Sequence, residues 1–317
     1  MWSAALRSGG AGRRSLGTAL SIASTSLTTR LLGSEVYDAL EAAHPPASPV
    51  RIDEVGSGDV PLVFLHGLLG LNEHWRPMAN ALCDRARCLM VEAPLLELRG
   101  ELCSVDGVTA LIAATIDRIL DGQPAVLVGN SLGGHVAQKI ALSRPELVRG
   151  LVLAGSSGLF ERTLERNVQH RPSREWLEKK ILDLFYDKSK VPHNCVDLAF
   201  EELSKRHGAR AMVKLGKSAK NDYMGARLER LRSPTLLIWG RQDNVTPPMV
   251  AEEFHDLIEG SRLVWIDECG HAPMIECPER FAREVRLFLD ELDSGSAGAT
   301  RCDPGEDDDS GGRQEVA

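Results

Sequence analysis

The chain has 317 residues, 43% of them hydrophobic, enough to fill the core of one large domain carrying an insertion, or of two small ones. A net charge of −8 without a clustered Lys/Arg stripe excludes nucleic acid as the main partner, because neutralising phosphates requires concentrated cations. No uninterrupted apolar run reaches the roughly 18 residues of a bilayer span, so no transmembrane segment is expected.

The first 34 residues contain Arg7, Arg13, Arg14 and Arg30 and many Ser and Thr, with no acidic residue before Glu35. Residues 1–34 therefore read as a flexible leader or as an organelle transit peptide. The folded part is expected over 35–293. Its first strands are Leu62–Leu65 and Cys88–Val91, followed by a helix over Val108–Leu120, a strand over Ala125–Val128, a helix over Leu132–Ser143 and a strand over Leu151–Leu153. From Phe160 to Arg230 the chain is rich in charge and helix formers and offers no strand, which predicts a helical lid inserted above the sheet. The strand pattern resumes at Thr235–Trp239 and Leu263–Ile266, with helices Pro247–Ile258 and Pro278–Leu292 beginning on prolines whose missing N–H is harmless there. Residues 294–317, with the acidic run Glu306–Asp309, are too polar to order themselves and are expected to be a disordered tail. Near-continuous apolar strands alternating with helices imply an α/β fold: a mostly parallel, twisted sheet covered on both faces. Sites in such sheets gather at the carboxyl ends of the strands.

The cysteines at 83, 88, 103, 195, 269, 277 and 302 are odd in number and lack C-x-x-C or zinc-ligand spacing. Free thiols and a cytoplasmic, reducing location are expected, with an organelle as the alternative if residues 1–34 are a transit peptide.

The strongest chemical signal is Gly129-Asn130-Ser131-Leu132-Gly133, set between a predicted strand and a predicted helix. This is the context of a nucleophile elbow, whose tight turn needs glycines and lifts the serine to the helix N-terminus. A serine at its ordinary pKa is a weak nucleophile, so a base must take its proton and a third group must orient the base. The chain order expected on such a sheet is Ser, acid, His. Asp243 follows the strand Thr235–Trp239, and His271 follows the next strand in Asp267-Glu268-Cys269-Gly270-His271. Asp267 and Glu268 are alternative acids, and Cys269 is read as packed rather than nucleophilic. An oxyanion hole needs two backbone donors: Leu132 supplies one, and Leu68 in the loop His66-Gly67-Leu68-Leu69-Gly70 is the candidate for the other, with His66 propping that loop. Three short echoes carry no function: Gly216-Lys217-Ser218 lacks the P-loop glycine, Asn244-Val245-Thr246 adjoins Asp243 in a chain without secretory features, and Gly56-Ser57-Gly58 lacks its third glycine.

Together the elbow, the His66-Gly67 loop, the segment Thr235–Asp243 and Gly270-His271 make the chain resemble the α/β-hydrolase family over about residues 45–292. The resemblance implies the α/β-hydrolase fold and a serine hydrolase with Ser131, Asp243 and His271 as its triad, acting on a small-molecule carbonyl substrate without metal or organic cofactor. Serine in the elbow separates it from branches such as haloalkane dehalogenases and epoxide hydrolases, which place an aspartate there. Within the family it looks most like the meta-cleavage-product hydrolases, through Asn130 before the nucleophile and the lid segment Met212–Ser218. It departs from them in Ala272 after the histidine and in Ala199 before Phe200, where a substrate-gripping arginine is the pattern. The expected activity is thus that of a carboxylesterase-type hydrolase. Carbon–carbon bond hydrolysis is the first alternative, and a catalytically silent binding protein on the same fold is the second. The sequence carries no signal of oligomeric state.

Overall fold

A computed structural model describes residues 50–161 and 172–295. Within them lie seven strands: β1 (Arg51–Val55), β2 (Val60–Leu65), β3 (Ala86–Glu92), β4 (Ala125–Asn130), β5 (Val148–Ala154), β6 (Thr235–Gly240) and β7 (Arg262–Ile266). They lie side by side in the order β1-β3-β2-β4-β5-β6-β7, every pair parallel except β1 with β3.

The sheet is covered on both faces, which explains the unbroken apolar runs. In β2, Val63 and Leu65 enter one core while Leu62 and Phe64 enter the other; in β6, Leu237 and Trp239 oppose Leu236 and Ile238. Successive side chains point to opposite faces, so a strand buried on both sides must be apolar at every position. Helices α2 (Val105–Leu120), α3 (Leu132–Ser143) and α7 (Pro248–Leu257) cover the first face. The second is covered by α1 (Arg76–Leu82) and α9 (Pro278–Ser294). Trp75 locks that side, its ring 5.2 Å from Phe64 and 6.2 Å from Phe281.

Strand β1 and helix α1 are among the described elements with no counterpart in the predicted set. Strand β1 reads Arg-Ile-Asp-Glu-Val, with Arg51 and Glu54 exposed. It has a single neighbour, and its Arg51–Glu92 and Glu54–Arg87 pairs act across the ladder rather than through an apolar run. Helix α1 has only 7 residues, about two turns, and its only strong signal is Pro77 near its start. Helix α2 also begins earlier than predicted, because the Ser104 hydroxyl accepts the Gly107 N–H at 3.0 Å and caps the helix there.

Between β5 and β6 the described residues form α4 (Arg174–Leu182), α5 (Cys195–Ser204) and α6 (Arg206–Asn221) and no strand. Gly216, Lys217 and Ser218 lie inside α6. Leu177 and Leu203 of this insertion bury against Leu96, with Leu69, Trp176, Phe200 and Met212 packed around them. The insertion therefore rests on the loops that leave β2 and β3 at their carboxyl ends. A short helix, α8 (Pro273–Glu276), precedes α9. The leader expected over 1–34, residues 162–171 of the insertion and residues 296–317 of the expected tail lie outside the described residues. No described helix is long and apolar enough to cross a membrane, and the six described cysteines are free thiols.

Candidate active site

Strand β4 ends in Gly129 and Asn130, the chain turns at Ser131, and α3 begins at Leu132. Ser131 holds φ +52° and ψ −120°, a backbone region that costs a residue with a side chain about 1–3 kcal/mol. Three hydrogen bonds hold it there: its N–H donates to Ala154 O at 3.2 Å, and its carbonyl accepts from Ser157 N and His135 N, each at 3.1 Å. The backbone is crowded on both sides of the turn. A Cβ at position 129 would lie 2.5 Å from the Gly133 oxygen, and one at 133 would collide with the Leu65 carbonyl.

The loop after β2 packs directly against this turn. A methyl group at Gly67 would sit 3.2 Å from the Ser131 Cβ and 3.6 Å from its Oγ. His66 is buried, and its Nδ1–H donates to the Gly67 carbonyl at 2.7 Å; the same oxygen accepts Gly70 N–H at 3.0 Å. Burial pushes the His66 imidazole below its ordinary value, so the ring is a neutral strut in the loop. Leu68 follows half-buried in that loop, and Leu132 opens α3, where the first amides of a helix have no intrahelical acceptor.

Asp243 leaves the end of β6 and His271 the end of β7. Both are buried, and His271 Nδ1 lies 2.8 Å from Asp243 Oδ2. The other carboxylate oxygen accepts the N–H groups of Val245 and Thr246 at 2.8 and 2.9 Å, and the Thr246 hydroxyl donates to Oδ2 at 2.8 Å. Such a fully bonded carboxylate is fixed in place, and it orders the imidazole so that Nδ1–H donates and Nε2 keeps its lone pair. Burial opposes the imidazolium, but the Asp243 charge and hydrogen bond, helped by Glu161, outweigh it and hold His271 above its ordinary value.

The elbow and the histidine loop are tied together. Asn130 Nδ2 donates to Ala154 O at 2.9 Å and to the His271 carbonyl at 3.0 Å. A methyl group at Gly155, next to Ala154, would lie 3.0 Å from both Asp243 Oδ2 and His271 Nδ1. The alternative acids point elsewhere: Asp267 is exposed and paired with Arg241 at 2.8 Å, and Glu268 is exposed. Cys269 is fully buried, and burial pushes its thiol far up, which removes the reactive thiolate. Among the described residues no group of three or more His, Cys, Asp or Glu side chains is arranged to hold a metal ion.

Sequence reasoning missed Thr246 and Glu276. Thr246 stands three residues after Asp243, the spacing at which a carboxylate captures downstream amides, and that spacing is a usable signal. Glu276 is buried and accepts the N–H groups of Gly270, Tyr186 and Asp187, contacts that no local pattern announces.

Residues 62–284 match the profile described as the alpha/beta hydrolase family. The chain is 31% identical over 274 residues to a 2-hydroxy-6-oxononadienedioate/2-hydroxy-6-oxononatrienedioate hydrolase of Burkholderia vietnamiensis, covering 76% of this chain and 90% of that one. It is 29% identical over 254 residues to a pimeloyl-[acyl-carrier protein] methyl ester esterase of Nitrosomonas europaea, covering 73% and 96%. Among solved structures, MGS-MChE2, an alpha/beta hydrolase enzyme from the metagenome of lagoon sediments at Mar Chica, Morocco, superposes with a TM-score of 0.62 at 31% identity, covering 79% of this chain and 99% of that one.

Proposed function

The chain belongs to the alpha/beta hydrolase family and is a hydrolase, and from that premise we propose a serine carboxylesterase mechanism carried by Ser131, His271 and Asp243. The observation that supports it most is the buried 2.8 Å contact between His271 Nδ1 and Asp243 Oδ2, linked through the Asn130 side chain to the turn that carries Ser131.

His271 Nε2 takes the Ser131 Oγ proton as Oγ attacks the substrate carbonyl carbon. The oxyanion accepts hydrogen bonds from the N–H groups of Leu68 and Leu132, while Asp243 stabilises the imidazolium. The imidazolium then gives its proton to the leaving alcohol oxygen, and the acyl group remains on Ser131. Water, deprotonated by His271, attacks the acyl carbonyl and releases the acid, restoring the serine hydroxyl. His66, Gly67, Gly129, Asn130 and Gly133 act by shaping the turn and the loop. Helices α4 to α6 act as the lid that bounds a small to medium carbonyl substrate, and the free thiols suit a reducing, cytoplasmic setting.

A second reading, hydrolysis of a carbon–carbon bond in a vinylogous diketone, is favoured by the Burkholderia relative's name. The same three residues would serve after the substrate tautomerises. A panel of p-nitrophenyl esters of rising chain length, run with one meta-cleavage diketone, separates the two. Labelling by a fluorophosphonate should map to Ser131, and Ser131→Ala should abolish both labelling and turnover. Full activity in Ser131→Ala would exclude the mechanism.

A further inference from the structure

Glu276 is a charged side chain only 1% exposed, on the last residue of α8, five positions beyond His271. Its Oε1 accepts Gly270 N–H at 2.6 Å, in the residue immediately before His271. Its Oε2 accepts two amides of the helical insertion, Tyr186 N–H at 2.8 Å and Asp187 N–H at 3.0 Å. One carboxylate thus bridges the histidine loop and the turn that follows α4. The two segments also touch directly. His271 N–H donates to Leu184 O at 2.7 Å, and a Cβ at Gly270 would meet the Leu184 oxygen at 2.5 Å and the Tyr186 nitrogen at 2.9 Å.

Burying a carboxylate is costly unless its oxygens are satisfied, and here both are, by backbone donors from two elements far apart in sequence. A space-filling role would be met by any side chain of that shape. The geometry is more demanding, because it requires acceptors on both ends. Resting on the assignment of His271 as the base, we propose that Glu276 is a positioning residue that couples the lid to the base: it holds the Leu184–Asp187 turn and the Gly270-His271 backbone as one unit, so His271 is in place only when that turn is docked.

Glu276→Gln tests this, because glutamine keeps the shape but offers an acceptor at one end only. Its amide N–H₂ must face either Gly270 N–H or the Tyr186 and Asp187 N–H groups, donor against donor. The expected result is a kcat lowered by about 10²-fold, the usual scale of a 1 Å displacement of a reacting group, with KM for a p-nitrophenyl ester within about twofold. Hydrogen exchange should quicken in peptides covering 184–187 or 269–271 while the β4 and β6 peptides keep wild-type protection. Wild-type kcat with wild-type exchange at both segments would overturn the proposal. If the variant does not fold, residue-resolved exchange of the wild-type protein decides the matter: the Gly270, Tyr186 and Asp187 amides should open with one common free energy, and independent opening would overturn it. A wild-type protein inactive on every ester would instead count against the proposed mechanism and leave the exchange result standing as the test of the bridge.

Discussion

Replacing Asp243 by Asn changes one atom of the site and should remove nearly all turnover without unfolding the protein. Asn Oδ1 can keep the Val245 and Thr246 amides, which bind Asp243 Oδ1 at 2.8 and 2.9 Å. The new Nδ2–H₂ then occupies the place of Oδ2, beside the Thr246 hydroxyl and His271 Nδ1, each 2.8 Å away. Both can accept: the hydroxyl by rotating, the imidazole by carrying its proton on Nε2 instead. All buried groups stay bonded, so thermal unfolding should stay close to that of the wild-type protein. The tautomer, however, is inverted, since an Nε2–H cannot take the Ser131 proton. Loss of the orienting acid's charge in a Ser-His-Asp site lowers kcat by about 10⁴-fold, equivalent to about 5.5 kcal/mol of transition-state stabilisation. The assay is kcat with the best p-nitrophenyl ester at pH 8, alongside a melting curve. A loss under about tenfold in a folded variant would refute the role assigned to Asp243.

Because Asp243 and Glu161 hold the His271 imidazolium above its ordinary value, His271 in its proposed role as base would be protonated and idle at lower pH. A profile of kcat/KM should therefore rise with pH through a midpoint above about 6.5, and a midpoint below that value would contradict the electrostatic assignment. Gly133→Ala drives a methyl group into the Leu65 carbonyl, which neither α3 nor β2 can yield without shifting. It should destabilise the fold by about 1–3 kcal/mol in urea unfolding and reduce fluorophosphonate labelling, whereas a neutral effect on both would mean that the elbow yields to a methyl group and does not require glycine there.

The sheet was legible in the sequence because β2, β4 and β6 are buried on both faces, and that burial leaves a run of apolar residues no loop would carry. The turn at Ser131 was legible for a similar reason: the crowding at positions 129 and 133 admits only glycine, so the constraint is written in the residues themselves. Strand β1 was illegible because an edge strand needs partners on one side only and can be half charged.

Within the site, local pattern put Ser131, Asp243 and His271 at the ends of three different strands, and chain order and resemblance favoured Asp243, with Asp267 and Glu268 as alternatives, as the partner of His271. That choice is made by the loop after β6, which turns Asp243 inward on the amides of Val245 and Thr246 while Asp267 turns out to Arg241. Glu276 belongs wholly to the tertiary structure. Its partners lie 6, 89 and 90 residues away, and a hydrogen bond between a carboxylate and a distant backbone amide leaves no mark on the identity of the residue that donates. Steric exclusion and burial make demands that the residues themselves record, as in the apolar strands and the glycine-flanked elbow. Which polar groups meet leaves no such record, because backbone donors are the same at every non-proline position and the fold alone says where they point.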